Sequence, residues 1–142
     1  MSDQPRSERT LKVLLYSDDR STRDQVRLAL GRRVASDLPE IEVFDTATGP
    51  AAVKAVESGA FDVLVLDGEA VPFGGMGLSR QLKEELDDCP PVLLLVARVA
   101  DAWLATWSKA DAVEPYPVDP IRLPRTLAEL ARHRLGLSPV AN

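Results

Sequence analysis

Cysteine is almost absent: Cys89 stands alone among 142 residues, so no intrachain disulfide can form. Histidine is equally scarce, and His133 with Cys89 supplies too few ligands for a Cys/His zinc cluster. No apolar run approaches the ~20 residues of a membrane span, so no membrane insertion is expected. The opening MSDQPRSERT lacks the apolar core of a signal peptide, and a cytoplasmic location is expected. Positive charge is in deficit, with 17 Lys and Arg against 22 Asp and Glu and a net charge of −5. A freestanding nucleic-acid binder shows a basic face, so nucleic acid is not an expected partner. The basic clusters Arg32-Arg33 and Arg132-His133-Arg134 fall near predicted helix ends, where cations suit the helix dipole.

Apolar residues make up 45% and charged residues 27%, the profile of a globular domain able to bury a core. Residues 10–137 are expected to form one domain, with flexible ends at 1–9 and 138–142. Three short runs are apolar throughout: Val13-Leu14-Leu15, Val63-Leu64-Val65-Leu66 and Val92-Leu93-Leu94-Leu95-Val96. Such runs suit strands covered on both faces, as in a parallel sheet between helix layers. Ile41-Glu42-Val43-Phe44 alternates apolar with polar, so one of its sides can face water. Residues 112–117 carry Pro115 and Pro117, and proline confines a strand to a sheet edge.

Helical patterns fall between these strands. Residues 21–34 place Val26, Leu30 and Val34 on one face. Pro50 opens a second helix in its first turn. Leu78, Leu82 and Leu86 stripe a third. Residues 101–109 form a short fourth and residues 123–135 a fifth, with Leu127, Leu130 and Ala131 inward. Five alternating βα units imply an open parallel sheet with right-handed crossovers. The most apolar strands belong at the centre, so the order is 2-1-3-4-5: a flavodoxin-like (βα)5 three-layer α/β sandwich. Sites in such sheets lie at the carboxyl ends of the strands.

Two acidic features meet at that end. Ser17-Asp18-Asp19 follows the first strand, and Asp67 ends the third. In this order the two strands are neighbours. Carboxylates gathered at one rim make a hard oxygen site suited to Mg²⁺. Asp18 and Asp67 are its expected ligands. Asp19 is expected to cap the first helix, a common task for aspartate, with a place in the metal site as its alternative.

At these residues the sequence resembles the receiver domain of bacterial response regulators, over residues 11–135. The segments VLLYSDD, VLVLDGEAVP, PPVLLLVAR and ADAVEPYPVDP carry the likeness. The resemblance implies that Asp67 matches the phosphoacceptor, which attacks a phosphodonor such as a histidine kinase's phosphohistidine with Mg²⁺ bound. It also implies a cis peptide at Tyr116-Pro117. Keeping the register of Arg23 and Val26 makes the acidic pair Ser17 and Asp18; matching the letters alone makes it Asp18 and Asp19.

The chain departs from the family at the phosphate sensors. Val96 stands where a switch hydroxyl belongs, Tyr116 where a lysine belongs, and Val113 where a switch aromatic belongs. Arg98 and Lys109 are the nearest candidate substitutes for the missing charge, Lys109 being expected to point to solvent. A missing charge-assisted contact costs about 1.5–3 kcal/mol. The expectation is therefore a stand-alone, atypical pseudo-receiver, not an enzyme, with an impaired phosphorylation switch and no output domain.

Output would pass by protein contact through the face made by the fourth helix, fifth strand and fifth helix, which could also support a homodimer. Trp103 and Trp107 lie one turn apart there; one is expected to pack inward and the other to be partly exposed as a partner anchor, with both in the core as the alternative. The runs GGMG, WLATW and PVDP further resemble stand-alone actinobacterial receivers with eroded sites. Some of those are encoded beside genes for the proton-pumping NADH dehydrogenase, which makes a respiratory-chain protein an expected partner class. A conventional phosphoacceptor using Asp67 is the first alternative, and a flavin- or nucleotide-binding protein of the same topology is the second.

Overall fold

A computed structural model describes residues 9–98 and 103–137. The elements alternate without exception: β1 (Thr10–Tyr16), α1 (Arg20–Leu30), β2 (Glu40–Thr46), α2 (Gly49–Glu57), β3 (Val63–Asp67), α3 (Gly75–Glu85), β4 (Val92–Val96), α4 (Leu104–Ser108), β5 (Ala112–Pro115) and α5 (Arg122–Leu135). The five strands form one parallel sheet in the order β2-β1-β3-β4-β5. The expected architecture and strand order are observed. The expected flexible ends fall, apart from Arg9, outside the described residues.

Strand alternation sorts the core into two halves. Val13, Leu15, Val63, Val65, Leu93 and Leu95 point to the layer that holds Val26 and Leu30 of α1 and Leu123, Leu127 and Ala131 of α5. Leu14, Tyr16, Leu64, Leu66, Val92, Leu94 and Val96 point the other way, to Ala52 and Val56 of α2 and Leu78 and Leu82 of α3. Every residue of β3 and β4 is buried, which is why those two strands carry unbroken apolar runs. Burying each such Leu or Val side chain contributes roughly 1.5–3 kcal/mol. The edge strand β2 is half wet, as its alternation requires. Its outer edge is partly blunted: Arg27 donates to the Val43 carbonyl at 3.1 Å, and the Ile41 N–H donates to Arg32 O at 2.7 Å.

One boundary differs from the sequence expectation. The first helix stops at Leu30 rather than reaching Val34, because Gly31 takes φ +61° and turns the chain. Val34 still packs against the α1–α5 half of the core, from the loop. Residues 101 and 102, expected to open the fourth helix, lie outside the described residues, and the observed α4 covers only Leu104–Ser108. After Asp67, Gly75 and Gly77 lie in the first turn of α3. A Cβ on Gly75 would lie 2.6 Å from the Asp67 carbonyl oxygen. Only glycine lets α3 begin so close to the strand that carries the site.

Long-range ion pairs tie α5 down. Arg132 grips both oxygens of Asp37 at 2.8 and 2.9 Å, and Arg134 reaches Asp88 at 2.8 Å. The Arg132 hydrogen bond holds the Asp37 carboxyl below its usual 3.8. A depressed folded value adds stability above the unfolded value, and that stability is lost as pH falls through the folded one. Replacing Arg132 by Met should therefore cost under about 1 kcal/mol at neutral pH, since the pair is exposed. The difference should vanish on acidification below the ordinary carboxylate range, as read by denaturant titration at several pH values. Gly75→Ala should cost about 1–3 kcal/mol in the same assay, because backbone rather than a movable side chain blocks the new methyl.

Candidate functional site at the carboxyl rim of the sheet

Parallel pairing of β1 with β3 sets Tyr16 opposite Leu66. The next residues of each strand, Ser17 and Asp67, therefore emerge side by side. Asp67 is only 3% exposed, and Ser17 is fully buried. Ser17 Oγ donates to Asp67 Oδ2 at 2.7 Å, and the Glu69 N–H donates to Asp67 Oδ1 at 2.9 Å. Both carboxylate oxygens thus have partners within the chain. Ser17 Oγ in turn accepts the Asp19 N–H at 3.1 Å, so its one proton is committed to Asp67.

The two aspartates after Ser17 diverge. Asp19 caps α1, taking the Ser21 N–H at 2.9 Å and the Thr22 hydroxyl at 3.2 Å. That is the capping role expected for it. Asp18 turns the other way and accepts the Val71 N–H at 3.2 Å, bracing the loop after β3. A second brace comes from Tyr16, whose hydroxyl donates to the Phe73 carbonyl at 2.5 Å. Burial, followed by the charges of Asp18 and Asp67, pushes the Tyr16 pKa up. The tyrosine therefore remains a donor.

Asp18, Asp19, Thr22, Asp67, Glu69, Val71 and Tyr116 line an open depression of about 630 Å³. The expected Asp18, Asp67 and Tyr116 do meet there. Tyr116 precedes a cis peptide to Pro117, as the resemblance implied. Its hydroxyl is buried close to Asp67 and Thr22 and closes a hydrogen bond of good geometry with neither. Burial, then the neighbouring Asp67, drives its pKa far upward, so the phenol stays neutral. Val96 is buried and Val113 partly buried against the α2–α3 half of the core. Those two switch-equivalent positions serve packing. Lys109 is exposed and pairs with Glu84 of α3 at 3.4 Å.

The oxygen donors are the hard type that Mg²⁺ takes. Their arrangement fits it poorly: among the described residues no three His, Cys, Asp or Glu side chains converge on one point. The Ser17 hydroxyl occupies the Asp67 oxygen that faces the first strand.

Sequence reasoning missed Glu69. Its Oε2 accepts the Ala97 N–H at 3.2 Å, linking the β3 loop to the end of β4. A loop glutamate carries no local signal of such a role; only its place two residues after Asp67 hints at it. The expectation that one tryptophan packs inward is overturned. Trp103 is 68% and Trp107 48% exposed. Arg80 holds Trp107 from α3, stacking at 5.1 Å from the ring and donating to its carbonyl at 2.9 Å. Ser79 adds a buried bond to the Ser108 carbonyl at 2.8 Å. No helix of the described residues is long and apolar enough to cross a membrane.

A response regulatory protein of Mycobacterium tuberculosis, itself uncharacterised, is 49% identical over 128 residues, covering 90% of this chain and 96% of the relative. No protein-family model matches the sequence. The structure is similar to a CheY-like response regulator receiver domain of Methanospirillum hungatei, with a TM-score of 0.70 and 17% identity over 90% of this chain and 98% of that one. It is also similar to a Thermotoga maritima response regulator solved with Mg²⁺ and BeF, with a TM-score of 0.68 and 21% identity over 84% and 97% of the two chains. At these identities the solved structures bear on the fold alone.

Removing the Ser17 hydroxyl tests the geometry of the rim. Ser17→Ala leaves a buried carboxylate oxygen without its partner and should cost about 1–3 kcal/mol at neutral pH. Ser17→Ala in an Asp67→Ala background should cost far less, because the oxygen is then gone. Denaturant titration of the four proteins measures the coupling.

Proposed function

This chain belongs to the response-regulator receiver family, and we propose that within it the protein is an atypical receiver with an impaired phosphorylation switch, acting by protein contact. The carrying observation is that both Asp67 oxygens are already engaged, by Ser17 and by the Glu69 N–H. A nucleophilic carboxylate needs an accessible oxygen and a cation to gather the phosphodonor. Here Ser17 takes the place of the first acidic residue of the pair, since Asp19 is spent on the helix cap. That leaves Asp18 and Asp67 as the residues to hold Mg²⁺, and a weak site. Bound there, the ion would neutralise charge on an incoming phosphoryl group.

The sensors are poor as well. Val96 has no hydrogen-bond donor, and the Tyr116 hydroxyl is uncharged. A ligand shifts a conformational equilibrium only by its differential interaction with the two states. With neither a charged nor a hydroxyl sensor of the usual kind, a phosphoryl group has little leverage on the α4-β5-α5 face. Trp103 and Trp107 are then standing anchors, exposed in the unmodified protein. Aromatic side chains held rigidly on a surface suit partner recognition. The partner classes are a histidine kinase, a second copy of this chain and, through the resemblance, a respiratory-chain protein.

A second reading, a conventional Mg²⁺-dependent phosphoacceptor, is favoured by the open depression that Asp67 lines. A flavin or nucleotide role has the acidic rim against it, because carboxylates repel phosphate. Incubation with acetyl phosphate and Mg²⁺ decides between the first two. The impaired switch predicts no phosphoryl adduct by intact mass and no change in tryptophan fluorescence. A stoichiometric, Mg²⁺-dependent adduct that disappears in Asp67→Asn establishes the conventional receiver instead.

A further inference from the structure

The Ala97 N–H lies just past the end of β4, beside the strand that carries Asp67. Asp67 pairs with Leu95 across β3 and β4, and the Gly68 N–H donates to the Leu95 carbonyl at 2.8 Å. Alternation along β4 makes Ala97 the next residue whose backbone faces β3. Its N–H therefore opens onto the Asp67 rim, just past the buried, donor-less Val96. In this structure it is taken, by the Glu69 carboxylate at 3.2 Å.

Glu69 is held at both ends. Its own N–H is fixed on Asp67 Oδ1 at 2.9 Å, and its side chain spans to β4. The carboxylate is therefore a tethered ligand at high effective concentration for the Ala97 amide. It also places a further negative charge beside Asp67, Asp18 and Asp19. An oxyanion arriving at Asp67 meets an occupied donor and a like charge together.

We propose that Glu69 is a built-in anion: its carboxylate occupies the Ala97 amide and excludes a phosphoryl-type oxyanion from Asp67. This rests on the receiver reading of the rim and adds its regulation. The contact also supplies the end of β4 with an anionic partner at all times, whether or not Asp67 is modified. Glu69 is exposed, so changing its side chain opens no cavity in the core.

The test titrates Mg²⁺ with beryllofluoride into the full chain, the Glu69→Gln variant and the Glu69→Ala variant, followed by backbone amide NMR at Ala97 and Asp67. Glu69→Gln keeps the length and an acceptor but removes the charge. Both variants should shift the Ala97 amide before any ligand is added. They should then bind beryllofluoride about tenfold to a hundredfold more tightly than the natural chain, the span expected for losing one charged competitor. Equal or weaker binding by the variants overturns the inference. Failure of all three proteins to bind also overturns it, while leaving the impaired-switch reading intact. Tight binding by the natural chain that moves Trp103 and Trp107 overturns the impaired switch instead, and the variants then still decide the role of Glu69.

Discussion

Everything at the rim depends on a carboxylate that the sheet buries. β3 is apolar on both faces, so the strand must pass through the core before it releases Asp67 at its end. At 3% exposure the charge of Asp67 has to be met by donors from the protein. Ser17 and the Glu69 N–H meet it, and each commitment propagates. The Ser17 hydroxyl fixes the turn from β1 into α1 by accepting the Asp19 N–H. The turn after Asp67 places Glu69 where it can reach Ala97. Three strand ends are thereby tied together.

That arrangement explains why valine at 96 and 113 and tyrosine at 116 are compatible with the fold. All three positions are used for packing. Val96 and Val113 join the α2–α3 half of the core, and the Tyr116 ring packs on the α1–α5 half. The phenol is then left near Asp67 as a neutral donor, its ionisation suppressed by burial. Neutral hydroxyls from Ser17, Thr22 and Tyr116 surround the carboxylates.

The tryptophan-bearing α4 surface is built separately from the rim. Trp107 is held from α3 by the Arg80 guanidinium, and Arg80 is itself oriented by Glu84 at 3.2 Å. Glu84 also pairs with Lys109, and Ser79 ties α3 to the end of α4 from within the core. These bonds fasten α4 to α3 and none of them reaches Asp67. Trp107 is the tryptophan these bonds hold in place.

Much of this was legible in the sequence because it is periodic and local. Three apolar runs, a half-polar run and a proline-bearing run set five strands, their central or edge positions and the order 2-1-3-4-5. The same reading put Asp67 at the carboxyl rim and assigned Asp19 to the helix cap, since capping involves only residues within one turn. Tertiary structure alone decided which side chains share a hydrogen bond across the chain. Ser17 and Asp67 are 50 residues apart, and Glu69 and Ala97 are 28 apart. Their meeting depends on the register of parallel strands, which no local pattern encodes. The exposure of Trp107 was decided in the same way, by an arginine on the neighbouring helix that holds it at the surface.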